Sequence, residues 1–308
     1  MGTVVEASLK INDTTPPAVK DVEAVSLLPQ ITVRFSEPLD KASAENVANY
    51  RFSGKAKVAS AELAPDGRSV MLTLSAPPED AKFMLTVLGV RDRSPAGNPV
   101  PQVSIGATCA RPVAQLKEAT LDGQGGGVVD QPLEPGAPTA AASPWTINLW
   151  LWVNAQPENH TLIAGFGDGK TPSGVQRYLA KFPHGLHFWA ANVDVPTKTA
   201  LEVEKWQMLT ATFDGEVVKV YKDGVEVAGQ KVSLSDAAPI ARIGPTGPWD
   251  YAHKLAGKVA GFALWNQALS PASVAALHKL GTQAEPPPKV EPPAKAEQPG
   301  KAKPAEDK

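Results

Sequence analysis

Short runs in which apolar and polar residues alternate recur along most of the chain. Residues 31–35 (ITVRF), 70–74 (VMLTL) and 83–87 (FMLTV) alternate with a period of two, which is typical of a strand with one buried face. Turn-forming sequences separate these runs, for example PAGNP at 95–99, because such residues fix or permit turn dihedrals. Short strands at this spacing within residues 16–106 predict a small β-sandwich.

A second stretch of alternation begins at residue 145. Residues 145–153 (WTINLWLWV) alternate, and residues 217–221 (VVKVY) lie between two Asp-Gly pairs, at 214–215 and 223–224. Asp-Gly is a strong hairpin signal because both residues accept the positive φ that a tight connection needs. The pattern therefore predicts an antiparallel meander, and the fold class is all-β.

Two short helices interrupt the strand pattern. Within residues 40–50, Ser43 is the predicted cap of a short helical turn. Near the end of the second β-rich region, Ser270 is a predicted N-cap, Pro271 occupies the first helical position, and good helix formers follow to Leu277. This second helix is expected to close its domain.

The remaining segments have little periodicity. Residues 104–144 are rich in Gly and Pro and predict a linker that merges into irregular first strands. The Pro-, Lys- and Glu-rich end cannot bury apolar surface and predicts an extended, solvated tail with polyproline II character. The expected organisation is a lead-in at 1–15, a sandwich at 16–106, a second domain at 107–281 that includes the linker, and a tail at 282–308.

Several motifs of the first domain resemble those of the bacterial Ig-like domains of surface-layer and other exported proteins. The motifs are TTPPAV at 14–19, VRFSEPLD at 33–40, NVANY at 46–50, DGR at 66–68 and VRD at 90–92. The resemblance implies an Ig-like β-sandwich that acts as a spacer or presentation module without catalytic residues.

The second domain resembles the laminin-G-like jelly-roll of the concanavalin A-like lectin/glucanase superfamily. The matching pieces include WTINLW at 145–150, LIAGFGD at 162–168, WQMLTATFDG at 206–215, VYKDG at 220–224 and LWNQALS at 264–270, in the order in which the family has them. The resemblance implies a jelly-roll sandwich of two antiparallel sheets, which relatives often use to bind glycans or other extracellular partners.

Charge and cysteine content limit the function classes. Thirty Lys and Arg against 32 Asp and Glu give a net charge of −2, so the chain lacks the positive field that nucleic acids and anionic membranes attract. No apolar stretch reaches the ~18 residues of a membrane span. The single cysteine, Cys109, excludes an internal disulfide and leaves the compartment open; an extracellular, cell-surface or periplasmic location follows from the resemblance only.

Catalysis requires a test because the superfamily includes glycoside hydrolases. Such enzymes need two carboxylates, often presented from one strand face, and the candidate pair is Glu202 and Glu204. The segment lacks the third acid of the hydrolase motif, so we expect no catalytic residues and no enzyme. The five histidines show no zinc-binding spacing.

Calcium is the cofactor that relatives of this jelly-roll often hold. Asp168 stands where relatives often have an acidic residue, but the acidic position expected before residues 264–266 is Val259-Ala260-Gly261 here. Asp168 and Asp194 remain candidates for a weak calcium site. We expect no tightly bound cofactor or metal.

The candidate ligand-binding residues are aromatic side chains expected to face outward. If Leu149 and Leu151 face the core, Trp150 and Trp152 share the opposite face, and by the same parity His187 and Trp189 oppose Leu186 and Phe188. For Trp150, packing beneath a loop or the N-terminal domain is the favoured interpretation. The turn-rich loop at 244–253 adds the candidates Trp249, Asp250 and Tyr251, since recognition residues concentrate on loops.

These features predict a non-catalytic, exported binding or adhesion protein that recognises a glycan or an extracellular or envelope protein through its jelly-roll. The alternative is a structural spacer or interaction module of a larger envelope or enzyme assembly. A glycoside hydrolase is the third class. Neither the ligand nor the oligomeric state follows from the sequence.

Overall fold

The computed structural model describes residues 13–169, 174–248 and 254–281 of the chain. Within these residues the protein is nearly all β, with twenty strands and two α-helices, as the alternating pattern predicts. None of the described helices is long and apolar enough to cross a membrane.

The N-terminal region contains the first seven strands and a short helix. They are β1 (Val19–Val25), β2 (Gln30–Phe35), α1 (Lys41–Ala44), β3 (Tyr50–Phe52), β4 (Val58–Leu63), β5 (Ser69–Leu74), β6 (Lys82–Val87) and β7 (Val103–Ala110). The strand order is β3-β6-β7-β1-β2-β5-β4. A short parallel contact of β1 with β7 at Ala24–Cys109 and Val25–Ala110 joins two otherwise antiparallel halves, and one apolar core lies between them.

The helical turn of this region is capped differently from the sequence prediction. Asp40 is the N-cap of α1, and its carboxylate accepts from the Ser43 backbone N–H at 2.9 Å. The Ser43 hydroxyl instead donates to the Asp40 carbonyl and accepts from the Arg91 backbone N–H. The prediction of Ser43 as the cap is wrong because the aspartate, which is also a preferred cap, stands immediately before the helix.

The second region forms two further sheets. Its strands are β8 (Ala114–Gln115), β9 (Ala119–Asp122), β10 (Val129–Pro132), β11 (Trp145–Val153), β12 (Thr161–Phe166), β13 (Arg177–Phe182), β14 (Gly185–Trp189), β15 (Asp194–Pro196), β16 (Gln207–Phe213), β17 (Val217–Lys222), β18 (Val225–Lys231), β19 (Ile240–Ile243) and β20 (Ala256–Trp265). One sheet has the order β10-β19-β12-β13-β14-β15 and the other β18-β17-β16-β11-β20-β8, with β9 also on β20.

The expected linker at 104–144 contains the end of β7 and three short strands. β7 continues to Ala110 in the N-terminal region, while β8, β9 and β10 join the sheets of the second region. The Gly- and Pro-rich composition hid these strands because each is short and lies at a sheet edge, where alternation is weak.

One apolar core lies between the two sheets of the second region. Leu149 and Leu151 from one sheet and Leu186 and Phe188 from the other are fully buried there. Trp145 stacks on Phe188 with ring centroids 5.4 Å apart. The predicted parity of β11 and β14 is confirmed.

Turn chemistry sets the register of the meander. Asp223 and Gly224 have φ of 51° and 80° and form a two-residue connection in which Lys222 pairs with Val225. Asp214 accepts from the backbone N–H groups of Glu216 and Val217. Both predicted Asp-Gly hairpins are confirmed.

The closing helix, α2 (Pro271–Gly281), lies between the two regions. Ser270 caps it, as predicted, by accepting from the Ser273 backbone N–H at 3.3 Å. We call the apolar contact around it the junction cluster. It consists of Val25, Leu28, Ala110, Met208, Tyr221, Ala263, Trp265, Leu269, Val274 and Leu277.

The N-terminal region also holds the start of α2 through a carboxylate. Glu23 on β1 accepts from the Ser270 backbone N–H and from the Ser273 hydroxyl, both at 2.9 Å. Arg34 donates to the other Glu23 oxygen at 2.7 Å. Burial raises the pKa of Glu23, but the hydrogen bonds from Ser270, Arg34 and Ser273 outweigh it, and the net pKa lies below its usual range.

Candidate functional site

Two tryptophans form a cross-strand pair on the outer face of the β11 sheet. Leu151 pairs with Gln207, so Trp152 lies opposite Trp206, which immediately precedes β16. Their ring centroids are 5.9 Å apart with an interplanar angle of 54°. Both are half-buried, and neither indole N–H donates a hydrogen bond within the described chain. We call Trp152 and Trp206 the Trp platform.

The surroundings of the Trp platform are mixed apolar and charged. Val203 is 41% exposed next to it and bridges to Val153. Lys258 pairs with Trp152 in the β20 register, and its ammonium lies 3.9 Å from a Glu118 carboxylate oxygen. Such an arrangement offers two inclined, partly exposed aromatic faces with charged groups nearby.

Trp150 is on the same face but is covered. His278 of α2 stacks on its indole with centroids 5.6 Å apart and an interplanar angle of 22°. The last residue of α2, Gly281, lies so close to the indole that a β-carbon there would clash with the ring. The preferred interpretation of Trp150, packing beneath another element, is confirmed.

His187 and Trp189 face away from the core, as their parity predicts, yet they are not exposed. Trp189 is 3% and His187 6% exposed. Trp189 packs with Tyr178 at a centroid distance of 6.2 Å and with Ala191 in a separate apolar cluster. Alternation predicts the face of a residue but not whether other segments cover that face. The predicted face of the two rings is confirmed, but both rings are covered rather than exposed.

Polar groups lie next to the covered rings of His187 and Trp189. The ring of His187 stacks on Phe182 at 4.1 Å, and its Nε2 atom lies 3.4 Å from Asp194 Oδ1. Farther along the same face, Arg242 donates to both oxygens of Asp130 at 2.7 and 2.9 Å. The hydrogen bond with Asp130 holds the pKa of Arg242 above its usual value, so this guanidinium is engaged within the protein.

The candidate carboxylate pair is not arranged for glycoside hydrolysis. Glu202 accepts from Lys205 and Lys222, both at 2.6 Å, and these two hydrogen bonds lower its pKa to about 2. Glu204 lies in a turn with φ of 53°, not on a strand beside Glu202. A carboxylate held ionised in this way cannot serve as the general acid of the reaction.

The two candidate calcium ligands engage other groups. Asp168 accepts from the Gln176 side chain at 2.9 Å, while Asp194 faces His187. Among the described residues, one group of three carboxylates has oxygens that all lie within 4.8 Å of one another. Its members are Asp13, Glu37 and Asp92 in the N-terminal region. A weak calcium site at Asp168 and Asp194 stays a prediction.

Three predicted ligand-binding residues, Trp249, Asp250 and Tyr251, lie outside the described residues. The sequence reasoning missed Trp206 as a partner of Trp152. Only the β11–β16 register brings the two together, and register between distant strands is not readable from alternation.

The sheet pairing and shared core define a jelly-roll sandwich in the second region. Residues 125–275 match the Laminin_G_3 family, described as the concanavalin A-like lectin/glucanases superfamily. This segment is therefore a jelly-roll domain of that type, and the resemblance seen in its sequence motifs is confirmed. No curated protein matches the chain.

Several solved structures are similar to this chain. Domain 4 of AbnA, a GH43 extracellular arabinanase from Geobacillus stearothermophilus in complex with arabinotriose, has 16% identity and a TM-score of 0.38, with 77% of this chain and 92% of that chain covered. The binding domain of botulinum neurotoxin serotype G has 11% identity and a TM-score of 0.42, and the match spans 63% of this chain and 49% of that chain. The N-terminal part of the bacterial S-layer protein SbsC has 14% identity and a TM-score of 0.33, with 72% of this chain and 45% of that chain covered.

Proposed function

We propose that the protein is a non-catalytic, exported carbohydrate-binding protein in which the jelly-roll recognises sugar through the Trp platform. The observation that carries this proposal is the pair of half-buried indoles at Trp152 and Trp206, 5.9 Å apart. The apolar face of a pyranose ring stacks on an aromatic plane, and the free indole N–H groups supply donors for its hydroxyls.

The N-terminal domain has a supporting role in this proposal. We assign it as an Ig-like module that presents the jelly-roll. Glu23 and the junction cluster connect it to α2 on the same sheet face that carries the Trp platform. A domain fixed in this way sets the direction in which the binding surface points.

The proposal predicts that the Trp platform dominates carbohydrate affinity. Trp152→Ala and Trp206→Ala should each weaken binding by about tenfold or more, since losing a central aromatic contact costs about 1–2 kcal/mol. A glycan array on the full chain identifies the sugar, and calorimetry with that sugar measures each variant, with calcium and with EGTA. A calcium dependence would support the weak site at Asp168 and Asp194.

Val225→Ala is the matched control because Val225 is 66% exposed on β18, an edge strand that β17 separates from β16. It should leave affinity unchanged. If the sugar binds equally well to both tryptophan variants but not to a Trp249→Ala/Tyr251→Ala variant, the binding site is the loop at 244–253. If no array sugar binds in any condition, the carbohydrate proposal is wrong and the spacer alternative takes its place.

A further inference from the structure

An aromatic row on the β11 sheet is only partly covered. Trp150 and Trp152 are two residues apart on one face of β11, about 7 Å along the strand, and Trp206 lies beside Trp152. Helix α2 covers the row at Trp150 through His278. It ends there, and the Trp platform beyond it stays half-buried.

The chain leaves α2 directly at this row. Gly281 contacts the Trp150 indole, and the sequence then continues for 27 residues, from 282 to 308. Proline clusters stand at 286–288 and 292–293. In polyproline II geometry the five residues from Gly281 to Pro286 span about 15 Å at ~3.1 Å per residue. The clusters are therefore within reach of the Trp platform.

The chemistry of these proline clusters fits the Trp platform. Polyproline II segments dock on aromatic surfaces because their rings are apolar and their conformation is largely set before binding. Their carbonyl groups have no internal hydrogen bonds, and the two indole N–H groups of the Trp platform have no acceptor in the described chain. Two exposed residues of opposite charge, Glu204 and Lys205, directly precede Trp206. The segment carries a pair of opposite charges too, since Lys289 and Glu291 stand between its proline clusters.

We infer that residues 286–293 of this chain dock on the Trp platform and act as an intramolecular occupant. The docked segment extends the contact that α2 already makes with Trp150. The effect of docking on carbohydrate binding rests on the proposed function, because the sugar must displace the segment from the Trp platform. The apparent affinity for sugar is reduced by the fraction of molecules in which the segment is undocked.

The test is a paramagnetic label on the tail of the full chain. Cys109→Ala removes the single, buried thiol, and Lys289→Cys then carries a nitroxide. The readout is the indole N–H signals in a ¹⁵N spectrum. With the paramagnetic nitroxide, the Trp152 and Trp206 indole signals should have less than half of the intensity that they have after the nitroxide is chemically reduced. Trp145, seven residues from Trp152 and about 24 Å along β11, should keep its intensity.

The matched control keeps the tail length and the label but replaces every proline of residues 286–293 with glycine. A flexible tether alone brings the label near the Trp platform some of the time, so only the difference between the two chains measures docking. We expect the Trp152 and Trp206 signals to recover most of their intensity in the glycine chain. Equal attenuation in both chains, or none in either, overturns the inference.

Carbohydrate binding is scored separately, by calorimetry with cello-, xylo-, manno- and laminari-hexaose. If the inference and the proposed function both hold, the glycine chain binds its sugar two- to tenfold more tightly than the natural chain. Proline-dependent attenuation without any sugar binding supports docking and rejects the proposed function. Sugar binding that depends on Trp152, without proline-dependent attenuation, supports the proposed function and rejects docking.

Discussion

Arg177 shows at the scale of one residue how a polar group is accommodated in the jelly-roll core. It is fully buried, and its guanidinium donates to the carbonyls of Gly174, Gln176 and Ser235. Burial lowers its pKa to about 10, against a smaller opposing effect of Asp236. The side chain therefore links the segment before β13 to the segment between β18 and β19 through neutral acceptors.

This geometry predicts that Arg177→Lys is not a conservative change. One ammonium cannot reach both the Gly174 and Ser235 carbonyls as the guanidinium fork does, and a buried acceptor that loses its donor costs about 1–3 kcal/mol. We expect the free energy of unfolding to fall by about 2 kcal/mol in urea denaturation. Arg242→Lys is the control, since its partner Asp130 is half exposed and surface pairs contribute about 1 kcal/mol or less. Equal losses in the two variants would contradict this account of Arg177.

The residue scale also separates what sequence can predict from what it cannot. Alternation placed Leu149 and Phe188 in the core and placed Trp189 on the other face, because side-chain direction is a local property of a strand. The burial of Trp189 and the pairing of Trp152 with Trp206 depend on segments distant in sequence. Coverage and register are properties of the assembled sheets, so no local pattern encodes them.

Helix α2 shows the same division at the scale of an element. Ser270 and Pro271 mark its start in the sequence, and the structure confirms both. The carboxylate of Glu23, 247 residues before Ser270 in sequence, also holds that start. A negative charge is favourable at a helix N-terminus, so Glu23 stabilises the helix and fixes it to the N-terminal region at once.

The Glu23 contact predicts a dependence of stability on pH. Its pKa is lower in the folded protein than its ordinary value of 4.5. Its contribution to stability is therefore complete above about 4.5 and is lost as the pH falls through the lower folded value. We expect Glu23→Gln to lower the free energy of unfolding by about 1–2 kcal/mol at pH 7. Between pH 5 and pH 3 the variant should lose less stability than the natural chain.

Asp21→Asn is the matched control for this prediction. Asp21 contacts the same Arg34, but its side chain is 54% exposed and it does not reach α2. Denaturation of the three proteins at pH 7, 5, 4 and 3 should show a changed acid limb for Glu23→Gln only. An acid limb in Glu23→Gln that matches the natural chain would show that other carboxylates determine it.

At the scale of the whole molecule, the junction cluster joins the N-terminal region to the jelly-roll. Val25, Leu28 and Ala110 of the N-terminal region and Trp265 and Tyr221 of the jelly-roll pack on α2. Inter-domain contacts within a chain are commonly small and polar and permit relative motion. Here the contact is largely apolar and brings α2 together with residues of both regions, so separation of the regions would expose part of the junction cluster to water.

This arrangement predicts that the natural chain unfolds in one cooperative calorimetric transition although it contains two cores. Val274 is fully buried in the junction cluster, and an unpaired carboxylate there would disrupt the contact at a cost on the order of 3 kcal/mol. Val274→Asp should therefore resolve two transitions, one for each domain, while both folds persist in the circular dichroism spectrum. Leu280→Ala, on the same helix but 40% exposed, should keep the single transition. Two transitions in the natural chain would mean that the domains fold independently, and α2 would then connect them without coupling their stabilities.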